Sequence, residues 1–227
     1  MLLVTIRFIF HSVGTLKLNI MMKSNSEMRQ EARVALKNRW STGALMTLVY
    51  VFIYYALSFA FLYGVSRDWG SLIAVLLLLP LLWSYQVAFL EIKRGKWLEV
   101  SYVFSGFKDA KRLYSTLILQ FVYTFLWSLL FLIPGIVKNY SYAMTSYILK
   151  DDPAMSNNRA IEKSMAMMQG HKMQLFLLDL SFIGWMILCV LTLGLGIFWL
   201  SPYMLTSRAA FYENLRHQGE AAPKDNL

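Results

Sequence analysis

Three polar side chains stand inside apolar stretches of the sequence and are the first candidates for a functional site. By the 1.5 Å rise of a helix, Asp179, Gln86 and Gln120 lie about 10, 8 and 12 Å beyond the nearest charged flank. Ionisable groups at such depth in a membrane mark solute or proton paths. Polar groups there also hydrogen-bond neighbouring helices, which is the commoner role. We predict one polar layer made by these three residues and favour the structural role.

The sequence has no pattern typical of an active site or a metal site. His11, His171 and His217 stand in separate regions, whereas a metalloprotease needs convergent ligands such as His-Glu-x-x-His. A Gly-x-Ser-x-Gly elbow is absent, and Gly194-Leu-Gly196 lacks the Lys-Ser/Thr of a phosphate loop. Cys189 has no basic neighbour to favour the thiolate. We therefore predict a protein without enzymatic activity, cofactor or metal.

The composition indicates that much of the surface faces lipid. Hydrophobic residues make up 57% of the 227 residues and charged residues 15%, with a net charge of +9. Too few polar side chains remain to cover a water-facing surface. Lys and Arg cluster beside uncharged runs and accompany no recognition motif, which is typical of membrane topology and not of nucleic-acid binding. We expect an integral membrane protein with no nucleic-acid partner.

Long uncharged runs define candidate spans, because about 20 apolar residues cross the hydrocarbon core. Such runs cover residues 40–66, 69–90, 113–137 and 180–207. The last is longer than one crossing needs, and Gly194 and Gly196 predict a turn inside it. We predict an all-α transmembrane bundle with helices at about 42–65, 70–91, 113–133, 134–150, 172–191 and 195–212. They form one domain over 22–215, followed by a cytoplasmic polar tail at 216–227.

The segment 134–150 scores poorly by hydropathy, so the distribution of charge decides whether it crosses. If it does, 18 Lys and Arg fall on one side and Arg67 and Lys138 on the other, leaving aside the first 21 residues. If it does not, the split weakens to about 11 against 9. We therefore predict six helices as three hairpins with both termini in the cytoplasm. Pro134-Gly135 is then a tight outer turn.

A faint internal repeat agrees with three hairpins. Pro80, Pro134 and Pro202 each fall in the second helix of a pair, and a tyrosine follows each of them, as Tyr203 follows Pro202. Duplication of one hairpin would explain this pattern. Proline is also simply more frequent in transmembrane helices than in soluble ones.

Three segments are expected on the cytoplasmic surface of the bilayer. Ser24-x-x-Glu27 fits a capping box, and the amphipathic helix it opens leads to Trp40, an interfacial anchor. The connection 93–112 alternates basic with large apolar residues. Ser156 fits the start of a third helix that Gly170 ends. Basic residues there each gain about 1 kcal/mol against anionic lipid, so the bilayer and its anionic inner-leaflet lipids are expected partners.

The first residues, 1–21, differ from the rest of the chain. Their apolar stretch is interrupted by Arg7, His11 and Lys17, and it lacks the small-residue cleavage site of a signal peptide. A start at Met22 would give a polar opening typical of a cytoplasmic N-terminus. We interpret 1–21 as a non-native or disordered extension. The alternative is an additional anchor helix.

Several distinctive motifs are spread along the chain. They are Ala32-Arg33-x-x-Leu36-Lys37-x-x-Trp40, LLFLIPGIV at 129–137, Tyr140-Ser141-Tyr142, Ala160-Ile161-x-x-Ser164-x-x-x-Met168-x-Gly170, LSFIGW at 180–185, Pro202-Tyr203 and Phe211-Tyr212. In these motifs the chain resembles a bacterial membrane family known as domain of unknown function 975. The resemblance covers about residues 22–215 and implies a multi-pass protein of the plasma membrane with no assigned activity. The family is also distantly similar to the membrane portion, not the catalytic domain, of some glycerophosphodiester phosphodiesterases.

Three functions remain open on these grounds. The leading hypothesis is a non-enzymatic membrane module that acts through a membrane or cytoplasmic protein partner, or through lipids. The alternative is a small transporter or channel component, which protein-dependent solute flux in liposomes would favour. A further alternative, a lipid-handling membrane enzyme, depends only on the distant similarity.

Overall fold

The fold of the described residues is entirely helical. The computed structural model describes residues 22–63, 70–130 and 132–221, with no strand among them. The helices are α1 (Asn25–Leu36), α2 (Trp40–Tyr63), α3 (Gly70–Lys93), α4 (Ala110–Leu130), α5 (Leu132–Ser141), α6 (Thr145–Asp151), α7 (Asn157–Met167), α8 (Lys172–Leu180), α9 (Ile183–Leu191) and α10 (Ile197–Ala221). A 3-10 helix, Val100–Asp109, joins α3 to α4. The predicted extension at 1–21 lies outside the described residues.

Helix α1 begins with the predicted capping box. The Ser24 hydroxyl accepts from the Glu27 N–H at 3.3 Å, and the Glu27 carboxylate accepts from the Ser24 N–H at 2.7 Å. Two N–H groups of the first turn are thereby satisfied. Met28, Ala32 and Leu36 form the buried face of α1, which packs against α10.

Within the described residues, three segments are long and apolar enough to cross a membrane. They are Trp40–Phe59 in α2, Leu76–Lys93 in α3, and Lys172–Leu191, which comprises α8 and α9. Their length and composition agree with the prediction of a membrane protein. The predicted spans 113–133 and 195–212 coincide with α4 and with most of α10.

The segment 134–150, predicted as one helix, forms two. Ser164 of α7 bridges the break between α5 and α6, because its hydroxyl accepts from the Met144 N–H at 3.1 Å and donates to the Ser141 carbonyl at 2.9 Å. Buried backbone groups need such partners. Ser164 thereby pairs two backbone groups, the Met144 N–H and the Ser141 carbonyl, where the helix is interrupted.

Helix α6 occupies the centre of the bundle, which explains its poor hydropathy. All five side chains from Thr145 to Leu149 are buried. The Trp83 indole of α3 donates to the Ser146 carbonyl at 3.0 Å, and the ring of Tyr147 stacks on that of Tyr212 in α10 at 5.2 Å. Because other helices of the protein surround α6, this helix can carry polar side chains and still lie in the core.

The segment 172–191 is also two helices instead of the one predicted. It breaks at Ser181 and Phe182, where the Ser181 hydroxyl donates to the Leu178 carbonyl at 2.6 Å. Serine offers the backbone this local alternative to the helical ladder. Helix α10 starts at Ile197 and runs to Ala221, well beyond the predicted end of the span at 212.

Pro134 and Gly135 lie inside α5 and not in the outer turn predicted for them. Pro134 occupies the first turn of α5, where a missing N–H costs no helical hydrogen bond. A Cβ on Gly135 would stand 2.9 Å from the Cα of Ser128 in α4. Gly135 therefore permits close contact of α4 with α5.

The predicted turn at Gly194 is present between α9 and α10. Gly194 has φ +87°, a left-handed conformation that glycine adopts without strain. Gly196 packs closely on α9, since a Cβ there would lie 2.6 Å from Cys189 Sγ. These two glycines close the hairpin.

Pro202 and Tyr203 join α10 to other parts of the bundle. The Pro202 ring packs against Gly43 of α2, where an added Cβ would lie 3.1 Å from Pro202 Cβ. The ring of Tyr203 meets that of Phe182 edge-on at 5.1 Å and that of Trp40 at 6.4 Å. Both residues thus serve packing.

Candidate functional site

Charged side chains from distant segments gather at one end of the bundle. Glu31 of α1 forms ion pairs with Lys23 and with Lys93 at the end of α3, the latter at 2.9 Å. Burial alone would raise the pKa of Glu31, but hydrogen bonds from the two lysines outweigh it and hold that pKa below its ordinary value. The Asn25 amide donates to the Gln174 carbonyl of α8 at 3.1 Å. Residues on α1, α3 and α8 therefore share this end.

Arg94 is the centre of an ionic cluster at the same end. Its two terminal nitrogens donate to the Asp151 carboxylate, each at 2.7 Å, and its Nε donates to Glu213 at 2.6 Å. Arg216 also pairs with Asp151 at 3.3 Å and with Glu213 at 3.2 Å. Burial alone would lower the pKa of Arg94, but these carboxylates raise it above its ordinary value. The cluster joins the ends of α3 and α6 to α10.

Burial and ion pairing oppose each other at Asp151. Burial alone would raise its pKa, but hydrogen bonds from Arg94 and from the Tyr212 hydroxyl, the latter at 2.8 Å, hold that pKa below its ordinary value. The carboxylate therefore stays ionised in the folded protein at neutral pH.

Arg112, at the start of α4, closes the C-terminal end of α6. Its guanidinium donates to the carbonyls of Leu149 at 3.0 Å, Asp152 at 3.1 Å and Pro153 at 2.7 Å. Carbonyls at a helix C-terminus lack helical partners and carry partial negative charge, which a cation offsets. Arg112 thus fixes α4 against the central helix.

A cavity of about 330 Å³ lies deeper in the bundle than the ionic cluster. Two of its lining residues lie five residues before a member of the charged end. Gln86 precedes Glu91, which pairs with Arg94 at 3.8 Å, and Arg208 precedes Glu213. The polar side chains that line it are Gln86, Gln120, Thr124, Asn139, Tyr140, Tyr142, Ser146, Tyr147 and Arg208. Leu82 and Phe121 also line the cavity and are 37% and 68% exposed. The cavity therefore has a mixed polar and apolar lining, and exposed apolar side chains of α3 and α4 stand at its edge.

Asp179 lies next to this cavity in a bidentate ion pair. Nε and Nη2 of Arg208 donate to its two oxygens at 2.9 and 2.7 Å. The Tyr140 hydroxyl donates to the same carboxylate at 3.2 Å. Arg208 and Tyr140 both line the cavity, so they connect Asp179 to it.

The predicted polar layer of Asp179, Gln86 and Gln120 is thus only partly one site. Gln86 and Gln120 line the same cavity, whereas Asp179 reaches it through Arg208 and Tyr140. Arg208 was missing from the predicted layer because it was counted only as one of the 18 Lys and Arg on the cytoplasmic side, although the predicted span 195–212 contains it. The available signal was a basic residue inside a predicted span.

The cavity offers hydrogen bonding more than acid–base chemistry. The Asp179 carboxylate is engaged by Arg208 and Tyr140. The side-chain oxygen of Gln120 is buried without a hydrogen-bond partner, and a buried unpaired acceptor costs free energy until a donor reaches it. Among residues 22–63, 70–130 and 132–221, no group of three His, Cys, Asp or Glu side chains could hold a metal ion.

Comparison with known proteins gives one family match. A family model described as "Protein of unknown function (DUF975)" matches residues 21–141 and 129–219. No curated protein and no solved structure matches the chain. The ionic cluster and the cavity both lie within the matched residues.

Proposed function

Because the chain belongs to the DUF975 family, whose description assigns no activity, we propose a function from the cavity itself: a multi-pass membrane protein that binds a lipid by its polar head without catalysing a reaction. The observation that carries this proposal is the cavity lined by Gln86, Gln120 and Arg208 and flanked by exposed Leu82 and Phe121. Protein partners and lipids were both expected from the sequence. The cavity favours lipids.

The membrane part of the proposal comprises six crossings. They are α2, α3, α4, α5 with α6, α8 with α9, and α10. Exposed aromatic side chains on the outer helices, such as Phe52 and Phe121, would otherwise face water at a high cost.

Contacts among the basic connections support six crossings over five. With five, residues 150–172 would lie on the opposite side of the membrane from residues 92–112. Arg94 nevertheless binds Asp151, and Arg112 binds the carbonyl of Pro153. With the positive-inside bias, we assign this shared end to the cytoplasm of a bacterial plasma membrane and place both termini there.

The charge of the cavity indicates which lipid fits. Asp179 already neutralises Arg208, so an anionic head group gains little from Arg208. Gln86 and Gln120 can donate and accept hydrogen bonds without charge. A volume of about 330 Å³ lies at the lower end for ligand sites and holds a head group but not its acyl chains. The ligand is therefore a lipid with a neutral, hydroxyl- or amide-bearing head whose chains extend past Leu82 and Phe121.

Native mass spectrometry of the protein in a mild detergent, titrated with diacylglycerol, tests this function. Gln120→Leu should weaken binding about fivefold, because one hydrogen bond is worth about 1 kcal/mol. The control is Gln169→Leu, an exposed glutamine after α7, which should bind like the wild type. Equal binding by both variants, or no binding by the wild type, would contradict the proposal.

Transport is the second candidate function, and the ion pair beside the cavity favours it. Charged pairs inside membranes accompany solute and proton paths. Proteoliposomes would show protein-dependent flux, which Asp179→Asn should abolish because the amide keeps the size of the carboxylate but loses its charge. If the protein binds diacylglycerol but produces no flux, transport is ruled out and lipid binding is the supported function.

A further inference from the structure

One flank of α1 carries basic side chains without partners. Arg29, Arg33 and Lys37 follow one another at four-residue spacing, which places them on one side of a helix. Among the described residues, none of the three forms an ion pair or a side-chain hydrogen bond. The opposite flank differs, since Glu31 there is paired with Lys23 and Lys93. The unpaired positive charge of α1 is therefore confined to one side.

An apolar groove of about 400 Å³ lies on the side of this basic flank. Arg33 lines it together with residues of α2, α9 and α10, among them Trp40, Trp185, Leu188, Trp199 and Tyr203. Trp185 and Trp199 are more than half exposed. Tryptophan side chains of this kind prefer the interface between lipid head groups and chains. The groove thus combines one cation with apolar walls.

We propose that this groove binds one acyl chain of an anionic phospholipid whose phosphate is held by Arg33. Charge complementarity carries the assignment, because the arginine fork matches phosphate oxygens and no acidic side chain of the described residues neutralises Arg33. Arg29 and Lys37 add to the attraction. The groove differs from the cavity, where Asp179 cancels the charge of Arg208. The inference rests on the proposed membrane setting and not on the ligand of the cavity.

Binding of phosphatidylglycerol and phosphatidylcholine to the protein in a mild detergent, followed by native mass spectrometry, tests the inference. Arg33→Gln should weaken phosphatidylglycerol binding about fivefold, which is about 1 kcal/mol for one basic residue. It should weaken phosphatidylcholine binding less, because the choline cation of that lipid already offsets the charge of its phosphate. The matched control is Arg159→Gln. Arg159 is an exposed arginine of α7 without a side-chain partner among the described residues, and its loss should have no effect.

Two outcomes would overturn the inference. If Arg33→Gln and Arg159→Gln weaken phosphatidylglycerol binding equally, the lipid is attracted diffusely to the whole basic end of the protein. Unchanged binding in Arg33→Gln would show that the groove is not a head-group site. Gln120→Leu separates this test from that of the cavity, because it should weaken diacylglycerol binding and leave phosphatidylglycerol binding intact.

A second measurement locates the acyl chain. In nanodiscs of phosphatidylcholine with a minor fraction of chain-brominated phosphatidylglycerol, the bromine should quench tryptophan fluorescence through Trp185 and Trp199. Arg33→Gln should reduce this quenching, and Arg159→Gln should not. Equal quenching in both variants would contradict a specific site.

Discussion

The guanidinium of Arg208 donates two hydrogen bonds to the carboxylate of Asp179, 29 residues earlier in the chain, at 2.9 and 2.7 Å. The Asp179 side chain is largely buried, whereas that of Arg208 is about one third exposed. The pair holds α8 against α10 beside the polar cavity. Removing one partner leaves the other charge unpaired, which costs more than losing both.

Asp179→Leu should destabilise the protein by about 2 kcal/mol, measured as unfolding free energy in detergent. This value is below that of a fully buried pair, because water still reaches Arg208. The double variant Asp179→Leu/Arg208→Leu should recover most of the loss, since no unpaired charge remains. If the single variant unfolds like the wild type, the pair adds nothing to stability.

Asp151→Asn should destabilise the protein at neutral pH by about 2 kcal/mol, because it removes the charged acceptor of Arg94. The folded pKa of Asp151 lies below its ordinary value. Its contribution is therefore fully present above the unfolded pKa of about 3.9 and is lost as the pH falls through the lower folded pKa.

Melting temperatures across the acid range measure this contribution. The wild type should lose stability as the pH falls, and Asp151→Asn should lose less of it over the same range. Asp152→Asn is the neighbouring control, because the Asp152 carboxylate has no partner among the described residues. Identical pH profiles for the wild type and Asp151→Asn would refute the linkage.

Gly135→Ala should cost about 1–3 kcal/mol, the usual range for overpacking. The added methyl would press on the Cα of Ser128, which a rotamer change cannot move. Because α5 also carries Asn139 and Tyr140 of the cavity, Gly135→Ala should weaken diacylglycerol binding as well as lower the stability of the fold. Gly184→Ala in α9 meets no atom within 4 Å and should be neutral or slightly stabilising. Equal stability of the two variants would show that α4 and α5 can separate freely.

Cysteine labelling on a Cys189→Ala background tests the six crossings. Leu195, 63% exposed in the turn before α10, should react as Leu195→Cys with an impermeant maleimide in intact cells. Arg159→Cys should react only after the membrane is permeabilised, because α7 lies on the cytoplasmic side in the proposed topology. Labelling of Arg159→Cys in intact cells would contradict the six-crossing topology.

Local patterns in the sequence predicted several elements correctly, because short-range chemistry decides them. Ser24 and Glu27 form their capping box within one helical turn. Gly194 turns the chain through its own backbone conformation. Uncharged runs at α2 and α3 predicted helices long enough to cross a membrane, since apolar length alone decides that property. These features need no knowledge of neighbouring segments.

The tertiary structure decided what depends on neighbours distant in sequence. α5 separates from α6 because Ser164, more than 20 residues from Ser141, supplies the missing hydrogen bonds. Helical rise predicted how far Asp179 lies from Lys172 along the chain, but its partner Arg208 depends on how α10 packs against α8. Likewise, the positive flank of α1 was visible as charge, and only packing shows which cations remain unpaired beside an apolar groove. Whether a side chain is buried or paired depends on its contacts, and the sequence predicts those contacts only when the two partners are close in the chain.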